Sequence, residues 1–254
     1  MKPQQYTGVI TQKLQLTKTV YQFVIQHQEP KELVFTPGQY ATFIIDPQTR
    51  RQYSFCSAPT PSSFELVVDV APMGVGSKYF LEKKVGDQVE YLAPLGQFGM
   101  MDTPLKKIFI ATGTGIAPFR SMLLNEKEIT NHKSQIPNIS QIPNFQNNSQ
   151  LGTRNLQLSL YWGLRYEDDV YWDREIRNIV GQYTGFQYFL VLSKPGETWK
   201  GLHGHVTDYV FNNEKDLQNC EFYLCGNSAM ITEVKNKLSA LNVPDERIRI
   251  DMFY

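Results

Sequence analysis

The stretch RQYSFCSAP, residues 51–59, places a cation, an aromatic ring and two hydroxyl groups close together. An arginine guanidinium can form paired hydrogen bonds with phosphate oxygens, a tyrosine ring can lie against a planar heterocycle, and a serine hydroxyl can donate to a ring nitrogen. The stretch therefore has the chemistry to hold a flat, anionic ligand. The same residues would also form an ordinary strand that leads into a turn, and the stretch alone does not decide between these interpretations.

A second stretch, IFIATGTGIAPF at residues 108–119, predicts a turn that binds phosphate. A buried strand runs into Gly113 and Gly115 and then into a helix, so backbone N–H groups and the positive helix end would face an anion. Pro118 suits the first helical turn because proline has no N–H to satisfy. The pattern is typical of pyrophosphate binding, and a glycine-rich turn in any α/β protein is the alternative.

Two further stretches combine glycine with small side chains. In APMGVGSKYF, Gly74 and Gly76 permit close backbone approach, and Ser77 is predicted to cap the helix SKYFLEKK, which gives a second anion site or only a capped helix after a loop. In EFYLCGNSAMI, a buried strand ends at Cys225 and Gly226, at the sheet edge where α/β proteins bind ligands. A buried structural cysteine is the alternative there.

The elements that must position these stretches differ between the two halves of the chain. Residues 1–103 contain short strands rich in β-branched and aromatic residues, separated by turns, which predicts a small antiparallel barrel. Residues 104–254 alternate apolar strands with helical stretches, which predicts βαβ units and a parallel sheet covered on both faces. We place the domain boundary near Thr103-Pro104.

A segment at about residues 128–154 fits neither domain. It contains the duplication SQIPNISQIPN at residues 134–144 and is rich in Asn, Gln and Ser. Because Pro137 and Pro143 interrupt helix formation, we predict a long surface insertion between the first helix and the second strand of the α/β domain. A partner-specific lid is the functional alternative.

Composition excludes several classes of protein. The chain has 254 residues with 41% hydrophobic and 20% charged residues, which is typical of a core-forming protein, and 25 Lys and Arg balance 25 Asp and Glu, so we expect no nucleic-acid partner. It contains no run of about 18 apolar residues and its N-terminus does not resemble a signal peptide, so we expect a cytoplasmic protein without a membrane span. The three cysteines are scattered, and His203 and His205 have no third ligand nearby, so we predict no metal site.

Taken in chain order, the motifs resemble those of the ferredoxin–NADP reductase superfamily. They are R-x-Y-S, G-x-x-S, G-T-G-I-A-P, Tyr-Trp-Gly-x-Arg, C-G and an acidic-aromatic C-terminus, and the resemblance covers nearly the whole chain apart from the insertion. It implies an all-β antiparallel six-stranded Greek-key barrel that binds FAD, followed by a doubly wound parallel-sheet α/β domain that binds NAD(P)H.

The resemblance also implies roles for individual residues. Arg51 would bind the FAD pyrophosphate, Tyr53 would stack on the isoalloxazine ring, and Ser54 would hydrogen-bond near its N5 atom. Further FAD contacts are implied for Gly74, Val75, Gly76 and Ser77. The implied NAD(P) contacts are Thr112, Gly113, Gly115, Pro118, Arg165, Ser193, Lys194, Cys225 and Gly226. Ser54, Cys225 and Asp251 would act in catalysis by tuning orientation and proton supply.

The C-terminus RIDMFY departs from the pattern of the family's plant-type members. In those members an acidic residue precedes a terminal aromatic by two positions, and the aromatic covers the flavin. Asp251 and Phe253 keep this spacing, but Tyr254 follows. Either aromatic would therefore cover the ring, and packing at the sheet edge is the alternative.

The choice of coenzyme stays open in the sequence. Ser193 and Lys194 resemble the family's 2′-phosphate site for NADPH, whereas the glycines around His203, in WKGLHGHV, resemble members that use NADH.

The implied activity is hydride transfer between NAD(P)H and FAD, and single-electron transfer to or from a separate carrier such as ferredoxin or flavodoxin. A free-flavin reductase or diaphorase, the electron-entry subunit of a larger redox complex, and a regulatory nucleotide-binding module are the alternatives.

Overall fold

The computed structural model describes residues 2–135 and 156–252. Its N-terminal part is a six-stranded antiparallel sheet with the strand order β4-β3-β6-β1-β2-β5. The elements are β1 Gln4–Gln15, β2 Val20–Glu29, β3 Tyr40–Ile44, β4 Arg50–Ser54, β5 Ser63–Asp69, α1 Val75–Glu82 and β6 Gln88–Leu95.

The sheet curls into a barrel because its two outer strands meet. Just beyond β4, the Cys56 N–H donates to Glu65 O of β5 at 2.9 Å, and Ser57 Oγ accepts from Glu65 N at 3.2 Å. Side chains that alternate inward fill the interior with aromatic rings, among them Phe23, Phe43, Phe55, Phe64, Phe80 and Tyr91.

Helix α1 is fixed to the barrel at its C-terminal end. Lys13 of β1 donates to the carbonyls of Phe80, Leu81 and Lys83 at 3.2, 2.6 and 2.8 Å. A cation suits this position because the last carbonyls of a helix carry partial negative charge. Near the opposite end of α1, Gly76 lies against Arg51 and Tyr53 of β4.

The C-terminal part is a parallel sheet with the order β10-β9-β8-β7-β11-β12. Its elements are β7 Lys106–Thr112, α2 Ala117–Gln135, β8 Leu158–Leu164, α3 Asp173–Val180, β9 Phe186–Leu192, β10 Leu202–His203, α4 Val206–Asn213, β11 Cys220–Gly226, α5 Ser228–Ala240 and β12 Ile248–Met252. The chain order reverses between β7 and β11, which is where such sheets bind ligands.

The central strands of this sheet are buried on both faces. Ile108 and Ile110 of β7 contribute to the core on the α4 and α5 side, whereas Phe109 and Ala111 point to α2 and α3. On that second face the core continues into barrel residues, including Val20, Cys56, Val67 and Phe98, so the two domains share apolar packing. The predicted fold class is confirmed in both halves.

Two details differ from the sequence predictions. Helix α1 begins at Val75 with Gly74 as its N-cap, so the prediction that Ser77 caps this helix was wrong; Ser77 lies in the first turn, and its hydroxyl donates to Asp69 O at 3.1 Å. Helix α2 extends to Gln135, so residues 128–135, predicted as part of the insertion, are helical. The first proline after Pro118 is Pro137, so no proline interrupts residues 119–135.

The rest of the predicted insertion, residues 136–154, lies outside the described residues. The boundary predicted at Thr103-Pro104 falls between β6 and β7 and stays a prediction. Of the helices that the structure describes, none is both long and apolar enough to cross a membrane.

Candidate functional site

Strand β4 presents neighbouring candidate residues on opposite faces. Arg51 and Tyr53 lie on one face; Ser54 is buried on the other, paired with Tyr40 of β3. The half-buried Tyr53 ring packs edge-on against Phe80, with 4.8 Å between ring centroids. Burial raises the pKa of Tyr53 to about 12, so its hydroxyl is a neutral donor at physiological pH.

The N-terminal end of α1 meets Arg51 and Tyr53. A Cβ added at Gly76 would overlap Tyr53 Oη and lie 3.0 Å from Arg51 Cγ, so only glycine permits this approach. Within the described residues, no side chain caps the helix at Gly74, and a Cβ there would meet no atom within 4 Å. An exposed guanidinium beside uncapped helical N–H groups fits a phosphate-containing ligand.

An open cleft of about 330 Å³ adjoins this group. It is lined by Thr42, Arg50, Arg51 and Gln52, and both arginines are exposed. The structure brings together the residues predicted to bind the FAD phosphates, Arg51, Gly74, Val75, Gly76 and Ser77, and Tyr53, which was predicted to stack on the isoalloxazine ring.

The glycine turn after β7 is shaped by two aromatic side chains. Gly113 has φ of +56°, and its carbonyl accepts from Trp162 Nε1 at 2.9 Å and from Tyr171 Oη at 3.3 Å. With that carbonyl directed inward, a Cβ added at Gly113 would find no described atom within 4 Å. Residues Gly113–Ile116 form a 3-10 turn that leads into α2, with Pro118 in its first turn, and a glycine turn before a helix is the arrangement predicted for a pyrophosphate.

The turns after β7 and β11 are in direct contact. A Cβ at Gly115 would overlap Cys225 O and lie 2.8 Å from Gly226 Cα. The Thr112 hydroxyl accepts from the Asn227 backbone N–H at 2.9 Å, and Asn227 in turn caps α5 by accepting from Met230 N at 2.8 Å. Thr112, Gly113, Gly115, Cys225 and Gly226 therefore form one contiguous group at the switch point of the sheet, in which Gly115 and Cys225 are buried.

The two candidate ligand sites meet at one hydrogen bond. Ser54 Oγ of the barrel lies 3.1 Å from Asp251 Oδ2 of β12, to which it donates, and Asp251 is the strand partner of Cys225. Burial raises the pKa of Asp251, although the bond from Ser54 opposes that shift. Burial and the neighbouring Asp251 raise the pKa of Cys225 well above its ordinary range, so the Cys225 side chain is a neutral thiol at physiological pH.

Sequence reasoning missed two residues of this region. Tyr40 lies opposite Ser54, and its pKa is raised by burial and by the charge of Asp251. Gly96 leaves room for the Tyr40 ring, since a Cβ at Gly96 would lie 2.8 Å from Tyr40 Cδ1. Asn227 was missed too, although an asparagine before SAMITEVKNKLSA is a recognisable N-cap signal. No sequence signal pointed to Tyr40, because only the pairing of β3 with β4 brings it to Ser54.

The remaining predicted nucleotide contacts lie at the ends of β8 and β9. Lys194 N donates to Arg165 O and Ser193 N to Leu164 O, each at 2.9 Å, which brings Arg165, Ser193 and Lys194 together. The carboxylate of Glu167 accepts from Gly196 N at 3.1 Å and holds the same loop. Phe253 and Tyr254 lie outside the described residues.

Burial of the Asp251 carboxylate at the contact between the domains is expected to lower the free energy of unfolding. The pKa of Asp251 is raised above its ordinary 3.8 by burial, so the folded protein binds that proton more tightly than the unfolded chain. The resulting loss of stability is absent below pH 3.8, where the carboxyl is protonated in both states. It grows as the pH rises from there through the raised pKa of the folded protein. We expect Asp251→Asn to increase the free energy of unfolding at pH 7, and this gain to shrink as the pH falls.

Urea unfolding at a series of pH values measures this effect. Asp168→Asn, which changes a carboxylate with a 74% exposed side chain, is the matched control and should give no such pH-dependent gain. A loss of stability in Asp251→Asn at pH 7 would contradict the burial argument.

The barrel with its uncapped helix end and the parallel sheet with its glycine turn form two domains, each with a site suited to a phosphate-containing ligand. Residues 7–100 match the family model of the oxidoreductase FAD-binding domain, and residues 109–236 match that of the oxidoreductase NAD-binding domain. The chain belongs to the ferredoxin–NADP reductase superfamily, with FAD as cofactor and NAD(P)H as co-substrate.

Curated relatives match most of this chain. The chain is 31% identical over 229 residues to the anthranilate 1,2-dioxygenase electron transfer component of Acinetobacter baylyi, which covers 89% of this chain and 60% of that protein. It is 26% identical over 231 residues to one subunit of the Na⁺-translocating NADH-quinone reductase of Neisseria meningitidis, covering 85% of this chain and 51% of that protein. The chain thus spans between half and two thirds of the length of these relatives.

Solved structures confirm the fold. The ferredoxin reductase in carbazole 1,9a-dioxygenase superposes with a TM-score of 0.79 at 19% identity, covering 100% of this chain and 70% of that one. Ferredoxin-NADP⁺ reductase from Plasmodium falciparum superposes with a TM-score of 0.74 at 19% identity, covering 97% of this chain and 95% of that one.

Proposed function

We propose that the chain is the reductase part of an electron-transfer system, which takes two electrons from NAD(P)H and passes them singly to a separate carrier. The observation that carries this proposal is the hydrogen bond between Ser54 of the FAD domain and Asp251 of the nucleotide domain, 3.1 Å long and next to Cys225. It places the serine predicted to contact the flavin beside the strand end predicted to hold nicotinamide.

The protein's contribution is to bind, orient and exclude water. When bound, FAD would supply the chemistry that the side chains lack, namely acceptance of a hydride and release of single electrons. Arg51 and the uncapped end of α1 bind its pyrophosphate, and Ser54 orients its ring. The turn at Gly113 binds the pyrophosphate of the second nucleotide, and Asp251 Oδ2 lies 3.1 Å from the Ser54 hydroxyl. Such positioning supplies a large part of the rate, since misplacement by about 1 Å can cost 10²-fold.

The relatives support a role in electron transfer to a separate protein. Two are electron transfer components, of anthranilate 1,2-dioxygenase and of xylene/toluene monooxygenase. We propose a small redox protein of the ferredoxin or flavodoxin type as the partner, in the cytoplasm. The relation to a subunit of the Na⁺-translocating NADH-quinone reductase supports a second candidate, an electron-entry subunit of a larger complex.

A steady-state comparison of acceptors tests the proposal. The purified protein, with NADPH or NADH as donor, is offered a ferredoxin, a flavodoxin or free FMN. We expect at least one protein carrier to be reduced with a higher kcat/KM than free FMN. Faster reduction of free FMN than of either carrier would instead support a free-flavin reductase, and co-purification at fixed stoichiometry would support the complex subunit.

Ser54→Ala is expected to slow flavin reduction by NAD(P)H about tenfold while FAD stays bound, because one orienting hydrogen bond contributes about 1 kcal/mol or slightly more. Stopped-flow absorbance of the flavin measures the rate. Ser63→Ala, at a half-buried serine of β5, is the matched control. An unchanged rate in Ser54→Ala would remove Ser54 from the mechanism.

A further inference from the structure

Arg120 of α2 is a buried cation at the contact between the two domains, 6% exposed. Towards the barrel, its Nη1 donates to Cys56 O and to Glu65 Oε2, each at 2.7 Å. Within its own domain it forms a two-point ion pair with Glu175, with Nε and Nη2 at 2.9 and 2.8 Å from the carboxylate oxygens. The ring of Trp172 lies over the guanidinium, 4.3 Å from its centroid to Arg120 Cζ.

This cation joins the two segments that carry the candidate ligand contacts. Cys56 follows Ser54 by two residues, and Arg120 follows Pro118 by two residues. The Arg120 guanidinium therefore links the segment that carries Ser54 to the glycine turn, with only a few backbone bonds on either side. A shift of Arg120 relative to the Cys56 carbonyl would move the turn relative to Ser54.

Neighbouring contacts strengthen the same joint. Ser121 Oγ donates to Ser57 O at 2.6 Å, and Trp172 Nε1 donates to Gln22 Oε1 at 3.2 Å. Gln22 Nε2 donates at 2.9 Å to the Glu65 oxygen that Arg120 also contacts. Trp172 has φ of +54°, a left-handed conformation that is strained for a bulky side chain and is kept only where surrounding contacts enforce it.

Only a guanidinium has the geometry for this set of contacts. Five N–H donors in a rigid plane serve a carbonyl and two carboxylates at once, while the face of the plane stacks on an indole. A lysine would keep the charge but offers three donors on one atom. By contrast, the ion pair Lys18–Asp168 also crosses between the domains, but its side chains are 85% and 74% exposed and it contributes little rigidity.

We propose that Arg120 is a positioning residue for hydride transfer. It fixes the nucleotide-binding turn to the flavin-binding strand, so that the nicotinamide and flavin rings are aligned for the transfer. The inference rests on the proposed flavin reduction by NAD(P)H. The distance measurement that tests it does not depend on that activity.

The first measurement is a distance between the two domains in the purified, FAD-loaded protein. Spin labels are attached to Leu14→Cys in the barrel and Leu241→Cys in the α/β domain, where the native side chains are 57% and 45% exposed. The native cysteines are buried and should not react; they are Cys56, Cys220 and Cys225. We expect a narrow distance distribution in the parent and a broad or displaced one in Arg120→Lys.

The second measurement is stopped-flow flavin reduction in the same variants. We expect Arg120→Lys to slow the reduction at saturating NAD(P)H by between about 10-fold and 100-fold, with KM changed less than about 3-fold, because alignment and not binding is lost. Lys18→Gln, which removes the exposed interdomain cation, is the matched control and should change neither distance nor rate.

The outcomes separate the possible failures. If Arg120→Lys folds poorly, Glu175→Gln, which keeps the contacts to Cys56 and Glu65, should show the same changes to a smaller degree. A narrow, unshifted distance together with an unchanged rate would overturn the proposal. A broadened distance with an unchanged rate would overturn its catalytic part. If the distance broadens but NAD(P)H does not reduce the flavin even in the parent protein, the proposed function is contradicted instead.

Discussion

Gly226→Ala is expected to slow flavin reduction by NAD(P)H about a hundredfold, because it displaces by about 1 Å the strand end that is predicted to hold nicotinamide. Gly226 has φ of +144°, which only glycine adopts without strain. A Cβ there would overlap Thr112 Oγ1 and lie 2.8 Å from Thr112 N, so the turn after β11 must move away from the turn after β7.

FAD binding should survive this substitution, since Gly226 lies in the other domain from Arg51 and the α1 end. The measurements are stopped-flow flavin reduction and the flavin content of the purified variant. Gly99→Ala is the matched control: a Cβ there meets its nearest atoms at 3.8 Å, an ordinary contact distance. A reduction rate in Gly226→Ala within about threefold of the parent would contradict the assignment of this turn to the nicotinamide nucleotide.

Lys107→Met is expected to lower the free energy of unfolding by about 3–5 kcal/mol, the cost of breaking a buried ion pair from one side. Lys107 and Glu221 are each 1% exposed, and their charged atoms lie 2.5 Å apart. The Glu221 carboxylate also accepts from Thr103 and Tyr223, and Tyr223 Oη accepts from Met101 N at 2.8 Å. The pair therefore anchors the segment between the two sheets to β7 and β11.

Urea unfolding at neutral pH measures this loss. The double variant Lys107→Met/Glu221→Leu is the informative control, because it removes the unpaired carboxylate along with the cation; we expect it to regain at least half of the lost stability. A loss below about 1 kcal/mol in Lys107→Met would show that Glu221 reaches water or a proton without its partner.

The fold was predictable from the sequence because its signals are local. The short strands of the first half and the alternation of apolar strands with helices in the second follow from side-chain periodicity, and the glycines at 113 and 226 mark turns that the structure places at the switch point. The family motifs then supplied the ligand classes. The helix start at Ser77 was wrong because glycine also serves as an N-cap, and Gly74 precedes Ser77 by three residues.

What the sequence did not reveal depends on contacts between distant segments. Tyr40 faces Ser54 only because β3 pairs with β4. In the sequence Arg120 looks like an ordinary residue of an amphipathic helix, and only the structure shows its contact with the barrel. The buried pair of Lys107 and Glu221 looks like two exposed charges in the sequence and is recognised only when β7 lies beside β11. Local patterns carry no information about such partners.

The central claim is that the flavin held by the barrel and the nicotinamide held by the parallel sheet meet beside Ser54, Asp251 and Cys225. Its most direct test is an anaerobic titration of the purified, FAD-loaded protein with NADPH and with NADH, in which the visible absorbance of the flavin is followed. The account predicts that at least one of the two coenzymes bleaches this absorbance stoichiometrically. Full retention of the flavin absorbance with both coenzymes would contradict it.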